Sequence, residues 1–417
     1  MYASGLRIAA VAEVVIVLTN LAFALSGREG KAHLRHSSPA SRLSLDLEPH
    51  HRYTFEEFVR DFNKEYVPGS TEYQRRETIF ADRLRVVQEH NAANSRRWTT
   101  FRRGVNQYSD WTDTELRGLL GFKPSAQWHA KRQPRLEVLS AAMESSHSNS
   151  SGAFSRQERL LTNLPSHVDW REKGAVTKPK NQGACGSCWT FSGVEAIESA
   201  LWLSTGKLFT LSEQEFVSCT SNPEHCGGTG GCFGATQDIL YEYVLAHGFT
   251  LERDYPYVSG NGSEPMCLNQ PLHVGSIAGY VDLPPNDLAA HLLAVNSQPL
   301  AISLDASDFH NYHSGVLTFQ DCGADLNHAV VLVGYGTDEE TGIDFFLVRN
   351  SWGEEWGESG YIRLARSQEC AVDTTPLDGT GCEGGVDELT VCGTCGMLFS
   401  SSYPEEGLAL QEPPPYL

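Results

Sequence analysis

The sequence predicts an α+β protein of two sub-domains standing behind a separate helical N-terminal region. Three observations lead there. Helical patterns cluster between Trp189 and Leu245, strand-like runs gather after Leu300, and a serine-rich stretch over residues 123–163 divides the chain. With 417 residues, 40% hydrophobic and 20% charged, the chain can bury a sizeable core and lacks the composition of a disordered protein.

Each element can be placed in order. Arg7 precedes a mostly apolar run, Ile8–Leu25, that ends near the small-x-small triplet Ala22-Phe23-Ala24. Residues 1–25 are therefore expected to be a signal peptide or, given the length of the run, a signal anchor. Either would take the chain into the secretory pathway, to an endolysosomal or vacuolar compartment or outside the cell. Eleven cysteines suit such an oxidising setting, and the odd number leaves at least one thiol over. From Tyr53, the residues Phe55, Phe58, Val59 and Phe62 recur at helical steps until Pro68-Gly69-Ser70 breaks the pattern. A second helix is expected over residues 72–93, carrying Ile79, Phe80, Leu84 and Val87. Residues 123–163 read as an exposed linker, where a protease can cut. Beyond Leu164, helices are expected at Trp189–Leu203, Ser212–Val217 and Thr236–Leu245. Strands are expected at Leu300–Leu304, Ala329–Tyr335, Phe345–Asn350 and Tyr361–Leu364. Ligand sites often lie where two such sub-domains meet.

Charge is divided unevenly: the net formal charge is +5 before Leu164 and −25 from it onward. An acidic body without a basic patch is repelled by phosphate, so no nucleic acid is expected as a partner. The opposite signs would draw the two parts together.

Three segments carry the chemistry. Cys188 lies in Asn181-Gln182-Gly183-Ala184-Cys185-Gly186-Ser187-Cys188-Trp189, at the start of an expected helix. His328 follows in Leu326-Asn327-His328-Ala329-Val330-Val331, and Asn350 in Arg349-Asn350-Ser351-Trp352-Gly353. Together the three resemble the papain (cathepsin L-like) family of cysteine proteases, over about residues 54–122 and 164–404. The resemblance implies a papain-like fold, with a helical left domain and a β-barrel-like right domain over residues 164–417, preceded by a helical propeptide.

The residue types fit that chemistry. A thiol attacks as thiolate, which is favoured beside an imidazolium and at a helix N-terminus, so Cys188 is the expected nucleophile. His328 would stabilise the thiolate and then protonate the leaving amine, while Asn350 holds the imidazole. Gln182, with the Cys188 backbone N–H, can donate to the developing oxyanion. Trp352 resembles the family indole that shields the His–Asn bond. No cofactor or metal is called for.

The resemblance also implies the disulfides Cys185–Cys232, Cys219–Cys267 and Cys322–Cys395, and it leaves Cys188 as a thiol. Cys226, Cys370, Cys382 and Cys392 keep three possible pairings. The substrate cleft would be formed by Gly234 and Ala235, with a pocket of Thr236, Gln237, Ser303, Leu326 and Ser400 for the second residue before the cut. None of these is charged, which predicts an apolar or aromatic occupant. Family members usually carry Gly where Ala235 stands. No long His-His insertion separates Cys232 from Cys267, which points to an endopeptidase acting on protein or peptide substrates.

Upstream, Glu72-x3-Arg76-x2-Ile79-Phe80, Val87 and Asn91 follow the spacing of the cathepsin L-type inhibitory propeptide, with Arg83 where that pattern has Asn. Gly104-Val105-Asn106-Gln107-Tyr108-Ser109-Asp110 resembles its second motif. Residues 54–122 are thus expected to act as an intramolecular inhibitor, lost by cleavage near Leu161–Leu164 in acid. Cystatin-type inhibitors are further expected partners, and a monomer is the expected state. Asn149 and Asn261 begin glycosylation sequons. Two other readings compete: a non-catalytic papain-like binding protein, and a zinc-binding secreted protein using the pairs Cys185/Cys188 and Cys392/Cys395.

Overall fold

The computed structural model describes residues 53–94, 100–121, 161–223, 228–269, 271–374 and 388–409, all within the compact unit Leu43–Leu417. The expectations for residues 1–25 and for most of the linker lie outside the described residues. Among those described, no helix is long and apolar enough to cross a membrane.

The N-terminal region opens with α1 (Phe55–Asp61), started by a capping box in which the Thr54 side chain and the Glu57 carboxylate satisfy each other's backbone N–H. Helix α2 (Thr71–Asn94) packs Phe80 against Phe55, Phe58 and Val105. Strand β1 (Phe101–Arg103) follows, then α3 (Asp113–Arg117), whose capping box uses Thr112 and Glu115. Arg76 clamps Glu115 with two bonds of 2.7 Å, and Lys64 pairs with the buried Asp110 at 3.0 Å. Strand β1 was not expected, because three residues reading Phe-Arg-Arg give no alternation to detect. It joins the C-terminal sheet beside β5 (Tyr312–Leu317), with Phe101 opposite Gly315. A Cβ on Gly315 would lie 2.3 Å from the Thr100 carbonyl, so only glycine permits that approach.

The C-terminal body begins with β2 (Val168–Asp169) and α4 (Cys188–Thr205), which ends on Gly206 in the left-handed region. Every residue of α4 from Cys188 to Leu201 is buried, since the helix runs between two hydrophobic cores. On one side it meets α5 (Glu213–Cys219) and α6 (Gln237–His247) through Trp189, Val194, Ile197, Phe216, Leu240 and Tyr241. On the other it packs on the sheet. Its two buried acids are paired, Glu195 with Arg349 at 3.0 Å and Glu198 with Lys180 at 2.7 Å.

The sheet has nine strands, in the path β1-β5-β8-β7-β6-β4-β11-β3 with β2 beside β6. The remaining members are β3 (Gly275–Asp282), β4 (Leu300–Leu304), β6 (His328–Thr337), β7 (Asp344–Arg349), β8 (Tyr361–Ala365) and β11 (Ser401–Ala409). Helix α7 (Leu288–Ser297) packs on β6, and β9 (Cys370–Asp373) pairs with β10 (Leu389–Cys392) as a small ribbon. The expected helices and strands match these bounds to within two residues or so. α3, α7, β2, β3, β5, β9, β10 and β11 were not anticipated.

The three implied disulfides are formed, and Cys370–Cys392 closes the ribbon, deciding one of the pairings left open. Cys226 and Cys382 lie outside the described residues. Three of the four cysteines invoked for zinc are thus consumed in disulfides, which removes that reading.

Candidate active site

Cys188 is the first residue of α4, fully buried and outside the disulfides. Two turns of chain fix its approach. Gly183 takes a positive φ and lies against Gly260, and the Cys185–Cys232 bridge together with Gly186 N–H···O=C Cys232 (3.0 Å) ties the segment to the loop carrying Gly234.

His328 opens β6 next to that helix. Its Nε2 lies 2.8 Å from Asn350 Oδ1, and the neighbouring Ala329 backbone N–H points at Cys188 Sγ at 3.5 Å. Nδ1 is buried with no hydrogen-bond partner among the described residues, so it is the nitrogen left over for the thiol. Burial holds the imidazole down at about 4, with the Asn350 bond opposing the shift. Asn350 Oδ1 also accepts from the Ser351 backbone N–H at 2.8 Å, which fixes the amide's orientation. The Trp352 ring sits over the pair, 5.0 Å from the imidazole centroid.

Gln182 is held from both ends. Its Oε1 accepts from Ser351 Oγ at 2.6 Å, while Nε2 donates to Cys185 O and to Leu119 O at 2.7 and 2.8 Å. Sequence reasoning missed Ser351, whose hydroxyl connects the Gln182 and Asn350 segments. Its place directly after Asn350 was the available signal.

Leu119 belongs to the N-terminal region, so that region's own carbonyl takes the Gln182 donor. The chain there runs over the nucleophile segment so closely that a Cβ on Gly121 would fall 1.9 Å from the Gly186 carbonyl oxygen. Gln107 Nε2 donates to Trp352 O at 2.6 Å, and the Tyr108 ring packs edge-on against the same indole. Asn106 Nδ2 donates to His310 O at 2.5 Å, and Arg83 Nη1 lies 3.3 Å from His310 Nε2. A cavity of about 250 Å³ remains between Leu116, Leu119, His310 and Trp352.

The residues expected for the cleft are spread over the loop before α6, β4, the approach to β6 and the start of β11. Gly234 has φ +88°, Ala235 is fully buried, and Thr236 caps α6 ahead of Gln237. Ser303 faces Ala329 across β4 and β6, Ser400 precedes β11, and Leu326 packs with Cys188, Ala329 and Phe399. Among the described residues, one possible metal group exists, His167, Asp169 and Glu172, and Arg171 already occupies Asp169 with bonds of 2.6–3.0 Å.

Comparison with known proteins agrees with this architecture. Residues 164–380 match the papain family cysteine protease model, and residues 55–116 match the cathepsin propeptide inhibitor domain (I29). Oryzain beta chain of Oryza sativa subsp. japonica is 38% identical over 80% of this chain and 62% of its own length. The chain thus spans somewhat under two thirds of that relative. Germination-specific cysteine protease 1 of Arabidopsis thaliana is 36% identical over 79% of this chain and 77% of its own. Among solved structures, a recombinant stem bromelain precursor superposes with a TM-score of 0.63 at 29% identity, covering 84% of this chain and 97% of its own. Procathepsin L 3 of Tenebrio molitor larval midgut gives 0.63 at 30%, with the same coverage. The chain therefore belongs to the papain family of cysteine proteases and carries an I29 propeptide domain ahead of its peptidase domain.

Proposed function

We propose that the protein is an endopeptidase precursor that hydrolyses peptide bonds through Cys188. His328 acts as the proton carrier, Asn350 orients the imidazole, and Gln182 donates to the oxyanion. The observation carrying this reading is the buried His328–Asn350 bond set beside Cys188 by Ala329. Trp352 keeps water from that bond. The thiolate attacks the scissile carbonyl, Gln182 and the Cys188 N–H stabilise the oxyanion, and His328 gives its proton to the leaving amine. Water then releases the acyl group.

In the precursor, residues 54–122 block this chemistry. The Leu119 carbonyl holds the Gln182 amide, and a neutral, buried His328 cannot form the ion pair that activates the thiol. Release follows acidification. His310, in the body, meets Arg83 and is faced by Arg103 and Asp113. Burial first, and Arg83 second, hold it down at about 4. Docking therefore favours neutral His310. It is at full strength above about pH 6.5 and weakens as pH falls toward 4, where the undocked form binds the extra proton. Among the described residues, ion pairs of the N-terminal region are made within that region, so the net charge difference acts over longer range and only reinforces this contact. Secretory routing to an acidic compartment, action as a monomer and inhibition by cystatin-type proteins complete the proposal.

The test is incubation of wild type and Cys188→Ala precursors at pH 7 and pH 4.5 with a fluorogenic peptide. The variant should neither shorten itself nor cleave, a loss of at least about a thousandfold. Cleavage surviving in Cys188→Ala would overturn the reading.

A further inference from the structure

The seam between the N-terminal region and the body encloses a cavity of about 250 Å³ whose two halves come from different parts of the chain. Leu116, Leu119 and Leu120 supply one side, and Ala306 and Trp352 supply the other. Neither half encloses anything alone, so the cavity exists only in the docked precursor. A substrate needs the N-terminal region gone, and this cavity goes with it.

Four polar residues also line it: Asp113, Arg117, Ser307 and His310. Three of them are satisfied. The Asp113 carboxylate pairs with Arg83, and the Ser307 hydroxyl accepts from Asn327 Nδ2 at 2.9 Å. His310 Nε2 meets Arg83 Nη1 while Nδ1 donates to the Ser307 carbonyl, both at 3.3 Å. Arg117 is different: among the described residues its side chain bonds only to Thr114 Oγ1, at 3.3 Å, and no carboxylate pairs with it. The Trp352 indole N–H is likewise buried without a hydrogen-bond partner among the described residues, in a residue 1% exposed. Both unmet groups can only donate. The remaining demand is for an acceptor, and the guanidinium favours one that carries negative charge.

The apolar walls set the rest of the ligand. An apolar cavity of about 150 Å³ is enough for benzene, so this one admits a ring or branched chain with a short acid attached. We infer that the cavity binds a small apolar carboxylate, of the phenylacetate kind, and that the bound acid holds the N-terminal region in place. The carboxylate answers Arg117 and the Trp352 N–H, and the apolar body fills the space between the leucines and the indole. A ligand that binds only the docked form stabilises docking by mass action. At ten times its dissociation constant, the undocked population falls about elevenfold. Slower self-processing follows, and that consequence alone rests on the endopeptidase reading.

The test is calorimetric titration of the full-length Cys188→Ala precursor, used so that the chain stays whole, with phenylacetate at pH 7. One site per chain is expected. Phenylacetamide has the shape without the charge, and acetate has the charge without the body. Each should bind at least about tenfold more weakly. Arg117→Gln, a change at an exposed residue, should weaken phenylacetate by about tenfold, and Arg117→Lys should restore most of that. Leu120→Trp, which fills the space, should abolish binding. Lack of saturable binding overturns the inference, as does equal binding of the amide, or binding unchanged in Arg117→Gln or in Leu120→Trp. Self-shortening of the wild type is then followed at about pH 5.5, where a carboxylate stays ionised. It should slow about elevenfold with phenylacetate at ten times its Kd. An unaltered rate with the site filled overturns the hold on the N-terminal region. A wild type that never shortens itself, with or without the acid, would instead bring down the endopeptidase reading, and the titration still decides the cavity.

Discussion

The N-terminal region and the body it covers are stabilised in different ways. The body has two large cores meeting on α4, four disulfides among its described residues, and buried ion pairs around Lys180. The N-terminal region has no cysteine, a core of its own built on the four buried residues Phe55, Phe58, Phe80 and Val105, and ion pairs that are partly exposed. So small a core adds little stability alone, and docking on Trp352 and along β5 makes up the rest. A cover of this kind can be lost while the body beneath it stays folded, as the proposed release in acid requires.

The largest perturbation of that contrast should be Phe80→Ala, which empties the centre of the small core at a cost of about 3–5 kcal/mol. The precursor should then show activity at pH 7 before any cleavage, with the melting temperature of the processed body unchanged. Retained latency would mean that docking, not the core, holds the region together. Gly121→Val comes next, since its side chain meets the Gly186 backbone rather than a movable group. Overpacking of about 1–3 kcal/mol loosens docking about five- to one-hundred-and-fifty-fold, read as latent activity of uncleaved precursor.

His310→Gln tests the acid trigger. With the docked imidazole at about 4 against an ordinary 6.5, protonation weakens docking by up to about 3 kcal/mol between those limits. The variant lacks that loss, so its processing midpoint should move to lower pH, followed as band conversion across a pH series. An unchanged midpoint would place the trigger elsewhere. The smallest effect belongs to Glu115→Gln, worth about 1 kcal/mol at a partly exposed pair. The Arg76 hydrogen bonds hold this carboxyl down at about 2, so its contribution is present above the ordinary carboxylate range and lost only as pH falls through about 2. Its destabilisation, measured by urea midpoint in the Cys188→Ala background, should therefore be the same at pH 7 and pH 4.5.

Much of this was legible in the sequence. Cys188, His328 and Asn350 announce themselves through flanking residues that the chemistry needs nearby, and Leu300–Leu304 reads as a strand because all five residues are buried. What stayed hidden depends on partners far along the chain. β1 is a strand only because Gly315 lets its backbone close on β5. The Leu119 carbonyl has no side-chain signature, yet it occupies the Gln182 amide. The polarity of Ser303 and Gln237 was visible as residue types, but whether their oxygens had partners could be known only from packing.

The Cys185–Cys232 bridge has a further consequence for how the enzyme is kept working. In the proposed mechanism Cys188 must be reduced to attack, while a sulfur three residues away must stay oxidised to tie the nucleophile segment to the loop carrying Gly234. Any small thiol that rescues an oxidised nucleophile is thus also a potential solvent of the scaffold. Cys185 is wholly inaccessible, which makes attack there slow. The enzyme should accordingly tolerate a window of reductant: too little leaves the nucleophile capped, and too much unpicks the floor on which it stands.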